Sequence, residues 1–144
     1  MAEDLHHAVA ARLDGDSQRY TSGRRTLVEV LVGAGRPLTA AEVLAEGRLS
    51  QSSAYRNLSV LEAAGVVHRV AGSDEFARFE LAEDLTDHHH HHLICTICGS
   101  VTDIAVPDEL ERSIEAMGAR AAESAAFEAD HHRLDLFGRC RDCH

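Results

Sequence analysis

The stretch HHHHHLICTICG, residues 88–99, joins five histidines to an apolar triplet and a Cys-x-x-Cys-Gly motif. A purification tag would normally sit at a terminus, whereas this run leads straight into Leu93-Ile-Cys95, which predicts a β-strand. Alternate residues of a strand face opposite sides. The even-numbered histidines would share one face: His88, His90 and His92. The odd-numbered pair would share the other: His89 and His91. One run can therefore supply two separate divalent-metal sites. The alternative is a solvated run with no ligand role.

Two Cys-x-x-Cys pairs predict a second kind of metal site. They are Cys95 with Cys98 and Cys140 with Cys143. Each pair can present two thiolates to one ion, and four thiolates at about 2.3 Å in a tetrahedron form a closed structural zinc site. Two disulfides would need an oxidising compartment, and four cysteines can also hold an iron centre. Both remain alternatives to zinc.

Composition and charge limit the classes of function. With 144 residues, the chain can form one domain or two small ones. It has no apolar run long enough for a transmembrane helix. Residues 1–16 carry early acids and no apolar segment, so no secretory signal and a cytoplasmic location are expected. The net charge of −10 argues against indiscriminate coating of nucleic acid or membrane.

Residues 22–65 contain the N-cap and C-terminal glycine signals expected for the helices of a helix-turn-helix. Ser22 is the expected N-cap of a helix that stops at Gly33 or Gly35. Thr39-Ala-Ala-Glu42 has the capping-box spacing and opens a second helix. Ser50 or Ser52 caps a third helix, which ends at Gly65. Two alternating segments, 66–70 and 76–81, then predict a β-hairpin around Gly72-Ser73. Helix, short helix, turn, helix and hairpin is the order of a winged helix-turn-helix.

The third predicted helix suits a DNA major groove. Small polar residues at its N-terminus would let the backbone approach the bases. Between Gln18 and Arg56, six arginines also face three glutamates, although the whole chain is acidic. The candidate DNA-binding residues are Arg19, Tyr20, Arg24, Ser52, Ser53, Tyr55 and Arg56. The alternative is that Tyr55 belongs to the core and the arginines form a solvated face.

Two further helices complete the expected elements. A first helix would span Asp4 to Leu13 and leave His6 and His7 in solvent. Pro107 would open a later helix whose apolar residues pack on a dimerisation sheet. They are Leu110, Ile114 and Met117.

Together these motifs resemble the ferric uptake regulator family of metal-responsive bacterial repressors. The resemblance covers nearly the whole chain. Its motifs are Arg19-Tyr-Thr21 with Arg24, Ser53-Ala-Tyr-Arg-Asn-Leu58, Glu62-Ala-Ala-Gly65, Arg78-Phe-Glu80, the run from His89 to Gly99, and His132 with Phe137-Gly-x-Cys140. It implies an α+β fold, in which an N-terminal winged helix-turn-helix DNA-binding domain precedes a small α/β dimerisation domain with a four-cysteine zinc site. The expected domains are a DNA-binding domain (1–82), a hinge linker (83–87) and a dimerisation and metal-binding domain (88–144).

The resemblance also implies three sets of metal ligands. Cys95, Cys98, Cys140 and Cys143 match the structural zinc site. The regulatory site in the hinge would use His68, Glu80, His90 and His92. A third site would use His89, His91, Glu111 and His132, with Glu109 or Asp108 as alternative acids. The chain departs from the iron-type pattern, because Pro37 holds the place of a histidine ligand. His68 stands where zinc-type members carry an acidic ligand.

The resemblance implies a homodimeric repressor of metal-homeostasis genes that binds double-stranded operator DNA. Structural Zn²⁺ and a regulatory Fe²⁺, Mn²⁺ or Zn²⁺ are its expected cofactors. No membrane partner, small-molecule substrate or enzymatic activity is expected. One regulatory ion would fix an otherwise flexible hinge. A zinc enzyme and a metal-buffering zinc protein without a DNA role remain the alternatives. Peroxide-sensing members usually carry Asp at the position of Glu80, which disfavours that stimulus.

Overall fold

Helices dominate the first 63 residues of the computed structural model, which describes residues 2–86 and 89–144. They are α1 (Ala2–Gly15), α2 (Ser22–Ala34), α3 (Ala40–Gly47) and α4 (Gln51–Ala63). Thr21, and not Ser22, is the N-cap of α2, because its side chain accepts a hydrogen bond from the Arg24 amide. Gly35 ends the same helix in the left-handed conformation, at φ 62°, which glycine adopts without a steric penalty.

A small antiparallel sheet follows the helices and forms the wing. Its strands are β1 (Leu38–Thr39), β2 (Val67–Ala71) and β3 (Ala77–Leu81), in the spatial order β1-β3-β2. The predicted hairpin is therefore present, with each strand starting one residue later than expected. The sequence pattern missed β1, since a two-residue strand is too short for an alternation to show.

The helices and the wing enclose the main hydrophobic core. Its largest fully buried side chains include Leu13, Leu27, Leu58 and Leu61, one or two from each long helix. His6 joins this layer and is only 8% exposed. The prediction that His6 is solvated was wrong, because α1 packs on the core and turns His6 towards Tyr20, whose hydroxyl lies 2.5 Å from His6 Nδ1.

The C-terminal half is built on a second sheet and one long helix. The strands are β4 (His91–Cys95), β5 (Val101–Ile104) and β6 (Asp135–Gly138), in the order β5-β4-β6. β4 pairs antiparallel with β5 and parallel with β6. The helix α5 spans Asp108–Ser124. The expected hinge linker, 83–87, contains a 3-10 helix, Glu83–Leu85, while Asp87 and His88 lie outside the described residues.

The helix α5 buries none of its side chains within one chain. Leu110 is 48% exposed and Met117 is 61% exposed within one chain, and the predicted packing of this face on a dimerisation sheet stays a prediction. Leaving apolar side chains in water is unfavourable, which marks this face as a surface for a partner. Among the described helices, none combines the length and the apolar character needed to cross a lipid bilayer.

The two N-caps Thr39 and Ser50 give a test of local stability. The Thr39 hydroxyl accepts a hydrogen bond from the Glu42 amide at 3.2 Å, whereas the Ser50 side chain makes no cap bond. We expect Thr39→Ala to lower the free energy of unfolding by about 1 kcal/mol. Ser50→Ala is the matched control and should cost clearly less. Urea denaturation at one fixed protein concentration measures both, and equal losses would contradict the capping assignment.

Candidate metal centres and DNA-facing helix

The cysteine cluster brings together all four thiols of the chain. The Sγ atoms of Cys95, Cys98, Cys140 and Cys143 all lie within 4.8 Å of one another. Cys95 ends β4, and the tight turn at Gly99, with φ +77°, folds Cys98 back towards it. The second pair follows β6, which runs beside β4, so the sheet itself aligns the two motifs. All four cysteines are free thiols rather than disulfides.

The environment of these thiols suits a cation. Backbone amides, first that of Cys140, lower the pKa of Cys95 to about 6. The neighbouring thiol of Cys140 raises the pKa of Cys143 to about 12. Amide hydrogen bonds thus favour one thiolate, but further thiolates in the same small volume repel one another unless a cation is present. A tetrahedral Zn²⁺ is the ion that four thiolates in a closed cluster select.

The hinge cluster draws residues from both sheets. Its central members, with ligand atoms within 4.8 Å of one another, are Glu80 from the wing, His92 from β4 and Asp103 from β5. His68 of the wing joins them through its contact with Glu80. Glu80 Oε1 lies 3.0 Å from His68 Nε2 and 2.9 Å from His92 Nε2. His92 Nε2 is also 3.4 Å from Asp103 Oδ1, a buried oxygen without a hydrogen-bond partner in the described ranges. A buried carboxylate oxygen without a donor, beside imidazole nitrogens, fits a divalent cation.

The two carboxyl groups of the hinge cluster have opposite pKa shifts. Burial opposes ionisation of Glu80, but hydrogen bonds from His68 and His92 outweigh it and lower its pKa to about 2. Burial and the Glu80 charge raise the pKa of Asp103 to about 7. Without a cation, Glu80 is therefore ionised near neutral pH, whereas Asp103 is protonated in about half of the molecules.

The fourth residue predicted for the regulatory site borders the hinge cluster. His90 Nδ1 lies 3.1 Å from Asp103 Oδ2, so His90 contacts the cluster through that carboxylate. Asp103 was absent from the predicted set, although β5 places it directly opposite His92. Counting outward along the hairpin from the cysteine knuckle would have found this pair. Asp135 of β6 is a further missed residue, because its carboxylate orients His92 through Nδ1 at 3.1 Å.

The histidine cluster contains the four residues expected for the third site. They are His89, His91, Glu111 and His132. Glu111 Oε2 is 2.7 Å from His91 Nε2, and Glu111 Oε1 is 2.6 Å from His132 Nε2. His89 Nε2 lies 3.2 Å from the same carboxylate and 3.1 Å from His132 Nε2. Three imidazole nitrogens that converge on one carboxylate match the donor set of a divalent metal site.

Glu111 is the acid of α5 that reaches this cluster, among the three that the sequence left open. Glu111 lies one helical turn after Pro107, and its backbone amide donates a hydrogen bond to the Pro107 carbonyl. Glu83 also contributes, since its carboxylate lies 2.6 Å from His89 Nδ1. That contact orients the ring so that Nε2 points into the cluster, and it ties the hinge segment to the site.

The helix α4 presents the predicted DNA-facing residues on its outer surface. Ser52, Ser53 and Arg56 are exposed, and Tyr55 is 49% exposed. Tyr55 is therefore not part of the core. The N-cap Ser50 makes no side-chain bond to the first turn, so no side-chain cap occupies the amide donors there. Small polar groups and an arginine are therefore exposed near the start of α4, as in helices that enter a major groove.

The flanking residues have different environments. Arg19 is exposed, but Tyr20 is half-buried and packs against the main core. Burial raises the pKa of Tyr20 to about 12. Arg24 bonds to the Arg19 carbonyl at 2.6 Å and to Asn57 Oδ1 at 3.1 Å, so it braces α4 against the segment before α2. Arg24 thus holds α4 in place, whereas Tyr20 packs against the main core.

Residues 16–137 match the sequence model of the ferric uptake regulator family. The chain is 29% identical over 147 residues to the peroxide-responsive repressor PerR of Staphylococcus aureus, and the match covers 97% of this chain and 91% of that protein.

Solved structures share the fold. The ferric uptake regulator Fur of Helicobacter pylori has a TM-score of 0.75 and 24% identity, and the match covers 99% of this chain and 93% of that one. Fur of Vibrio cholerae has a TM-score of 0.69 and 28% identity over 89% of this chain and 96% of that one.

The neighbouring acids Glu111 and Glu109 test the histidine cluster. We expect Glu111→Gln to weaken divalent-metal binding at this cluster by roughly 100-fold or more, since loss of an outer partner alone costs roughly 10–100-fold. Glu109→Gln is the control, because Glu109 is exposed and belongs to none of the three clusters. Competition against a chelating indicator, with the cysteine cluster filled beforehand, measures the affinity. Equal affinities of the two variants would remove Glu111 from the site.

Proposed function

This chain belongs to the ferric uptake regulator family of metal-responsive repressors, and on that basis we propose that it binds operator DNA as a homodimer under control of a metal ion at the hinge cluster. The domains expected from the sequence take these roles: residues 1–82 bind DNA, 83–87 form the hinge, and 88–144 dimerise and bind metal. The genes under control would be those of metal homeostasis, and the protein would act in the cytoplasm.

The observation that carries the proposal is the origin of the hinge-cluster ligands. His68 and Glu80 belong to the wing, whereas His92 and Asp103 belong to the C-terminal sheet. A bound ion would supply positive charge and a fixed coordination geometry to both sheets at once. Metal binding then favours one relative position of the DNA-binding unit, and by linkage DNA binding raises the metal affinity.

The donors of the hinge cluster favour Fe²⁺ or Mn²⁺ as the sensed ion. They are nitrogens and carboxylate oxygens, with no thiolate among the described residues of the cluster. Asp103 adds a second carboxylate to Glu80, and His90 stands within reach of Asp103. Two carboxylates with imidazoles and without a thiolate suit Fe²⁺ and Mn²⁺ better than Zn²⁺, which favours thiolates.

Dimerisation is supported by the apolar surface of the C-terminal half. Leu93 and Leu136 are neighbours in register on β4 and β6, and they are 42% and 50% exposed. The helix α5 has exposed apolar residues of its own, among them Leu110 and Met117. Exposed apolar area of this kind is typical of a homodimer interface. Two copies would present two α4 helices to successive major grooves.

Fluorescence anisotropy on DNA from upstream of this gene tests the proposed function. The protein keeps its cysteine-site zinc after mild chelation and receives Mn²⁺, anaerobic Fe²⁺ or Zn²⁺ in separate samples. Tight binding with one metal, reversed by chelation, supports a metal-dependent repressor and identifies the effector. Because the relatives at 29% identity are named for a response to peroxide, a hydrogen peroxide sample accompanies the Fe²⁺ sample. Selection from random duplexes that also gives no bound sequence would reject a DNA-binding role.

The hinge assignment predicts a selective loss in a histidine variant. His92→Ala should abolish the metal-dependent gain in DNA affinity, which is roughly 5- to 150-fold for a typical coupling. His7→Ala is the matched control, because His7 is exposed on α1 and belongs to no cluster. Anisotropy titrations with and without the activating metal give the gain for each variant. An unchanged gain in His92→Ala would show that the hinge cluster does not control DNA binding.

Asp103 predicts a pH dependence of metal binding. Its pKa is raised to about 7 by burial, so the folded protein holds a proton there below neutral pH. A metal ion must displace this proton, and the affinity should therefore fall from about pH 8 to about pH 6. Asp103→Asn removes that proton and should give a shallower slope of log affinity against pH, along with weaker binding. Calorimetric titrations in two buffers of different ionisation enthalpy count the protons released, and identical counts would exclude Asp103 as the titrating group.

A further inference from the structure

The wing and the C-terminal sheet touch along a line that extends beyond the hinge cluster. On β2, alternate residues His68 and Val70 point the same way, and on β4 the corresponding residues are His92 and Ile94. His68 and His92 both meet Glu80. The same alternation brings Val70 against Ile94, two residues further along each strand.

Val70 fills an apolar contact between the two sheets. It forms one buried cluster with Ile94 and Val101, and these three residues are 1%, 2% and 1% exposed. Ile94 and Val101 are paired across β4 and β5, so they present one apolar surface to the wing. This cluster is separate from the main core, and it is the wing that shields it from water. Burial of these side chains favours the docked arrangement without any metal.

The tip of the wing completes the contact on the cysteine knuckle. The Ser73 hydroxyl donates a hydrogen bond to the Cys95 carbonyl at 2.5 Å. Asp74 lies so close to Gly99 that a Cβ at Gly99 would overlap its carboxylate. Arg78, only 5% exposed, holds this carboxylate through both oxygens, at 2.7 and 2.9 Å. The tip therefore has a fixed shape that fits the turn between Cys95 and Gly99.

We propose that the wing docks on the C-terminal sheet and the cysteine knuckle through the Val70–Ile94–Val101 cluster and the Ser73–Cys95 hydrogen bond. This docking positions the DNA-binding unit independently of a metal ion in the hinge cluster. This inference rests on the proposed DNA-binding function. Docking places the two halves of the hinge cluster side by side before an ion arrives. Val70 and Ser73 are thus positioning residues for both metal and DNA.

Val70→Ala and Val9→Ala are the matched pair of variants. Both remove two methyl groups from a fully buried valine, but Val9 belongs to the main core and touches neither the knuckle nor the C-terminal sheet cluster. Ser73→Ala is a milder third variant that leaves every apolar contact in place. Hydrogen–deuterium exchange is measured on segments 71–76 and 95–100 of the zinc-retaining protein, without added Mn²⁺ and without DNA. Anisotropy then gives the DNA affinity with saturating Mn²⁺ or Fe²⁺.

Docking predicts that Val70→Ala speeds exchange in both segments together and weakens DNA binding about ten-fold. Ser73→Ala should shift both readouts in the same direction by about three-fold. Val9→Ala should speed exchange in the helical core and change DNA affinity by less than about two-fold. Unchanged exchange at the knuckle in Val70→Ala and Ser73→Ala would overturn the proposal. Absence of DNA binding by the unmodified chain would instead reject the proposed function, while the exchange data would still decide whether the wing is docked.

Discussion

The side-chain alternation of β4 is the constraint on which the metal chemistry depends. This strand of five residues contributes to all three clusters: His91 faces the histidine cluster, His92 faces the hinge cluster, and Cys95 enters the cysteine cluster. A shift of one residue in its pairing with β5 and β6 would exchange the two faces. The hinge cluster and the histidine cluster would then be lost together, so the register of this one strand specifies both. The cysteine knuckle at the end of the strand fixes that register.

Charge in the C-terminal half is arranged for cations rather than for permanent ion pairs. Residues 83–144 contain thirteen acidic side chains and only five arginines. The carboxylates of Glu80, Asp103 and Glu111 face imidazole rings, which are also common metal ligands. Asp74 instead faces the guanidinium of Arg78, which is always charged. Carboxylates therefore form a permanent ion pair in the wing, whereas in the metal clusters they remain available to bind a metal ion.

The sequence predicted features that depend on local spacing, such as the helix order, the hairpin and the pairing of the cysteine motifs. It placed His89 and His91 on the face opposite to His92 from strand periodicity alone. It missed Asp103, because the pairing of β4 with β5 is a contact between separate segments. It also misplaced His6, whose burial depends on how α1 packs on the core. Tertiary packing, rather than local preference, decides such positions.

Protein contacts already hold the start of the hinge segment in place, so this segment is not a flexible linker that only a metal ion orders. Arg12 of α1 bonds to the Gly65 carbonyl at 2.6 Å and pairs with Asp84 of the 3-10 helix, which anchors the start of the linker to the first domain. A ligand that alone shifts an equilibrium from 1:99 to 99:1 must bind the favoured state about 10⁴-fold more tightly, or about 5.5 kcal/mol. Each contact that already favours the docked wing reduces this requirement. Under the proposed function, a modest difference in metal affinity would then suffice to switch DNA binding, since the metal would complete an arrangement that protein contacts have largely built.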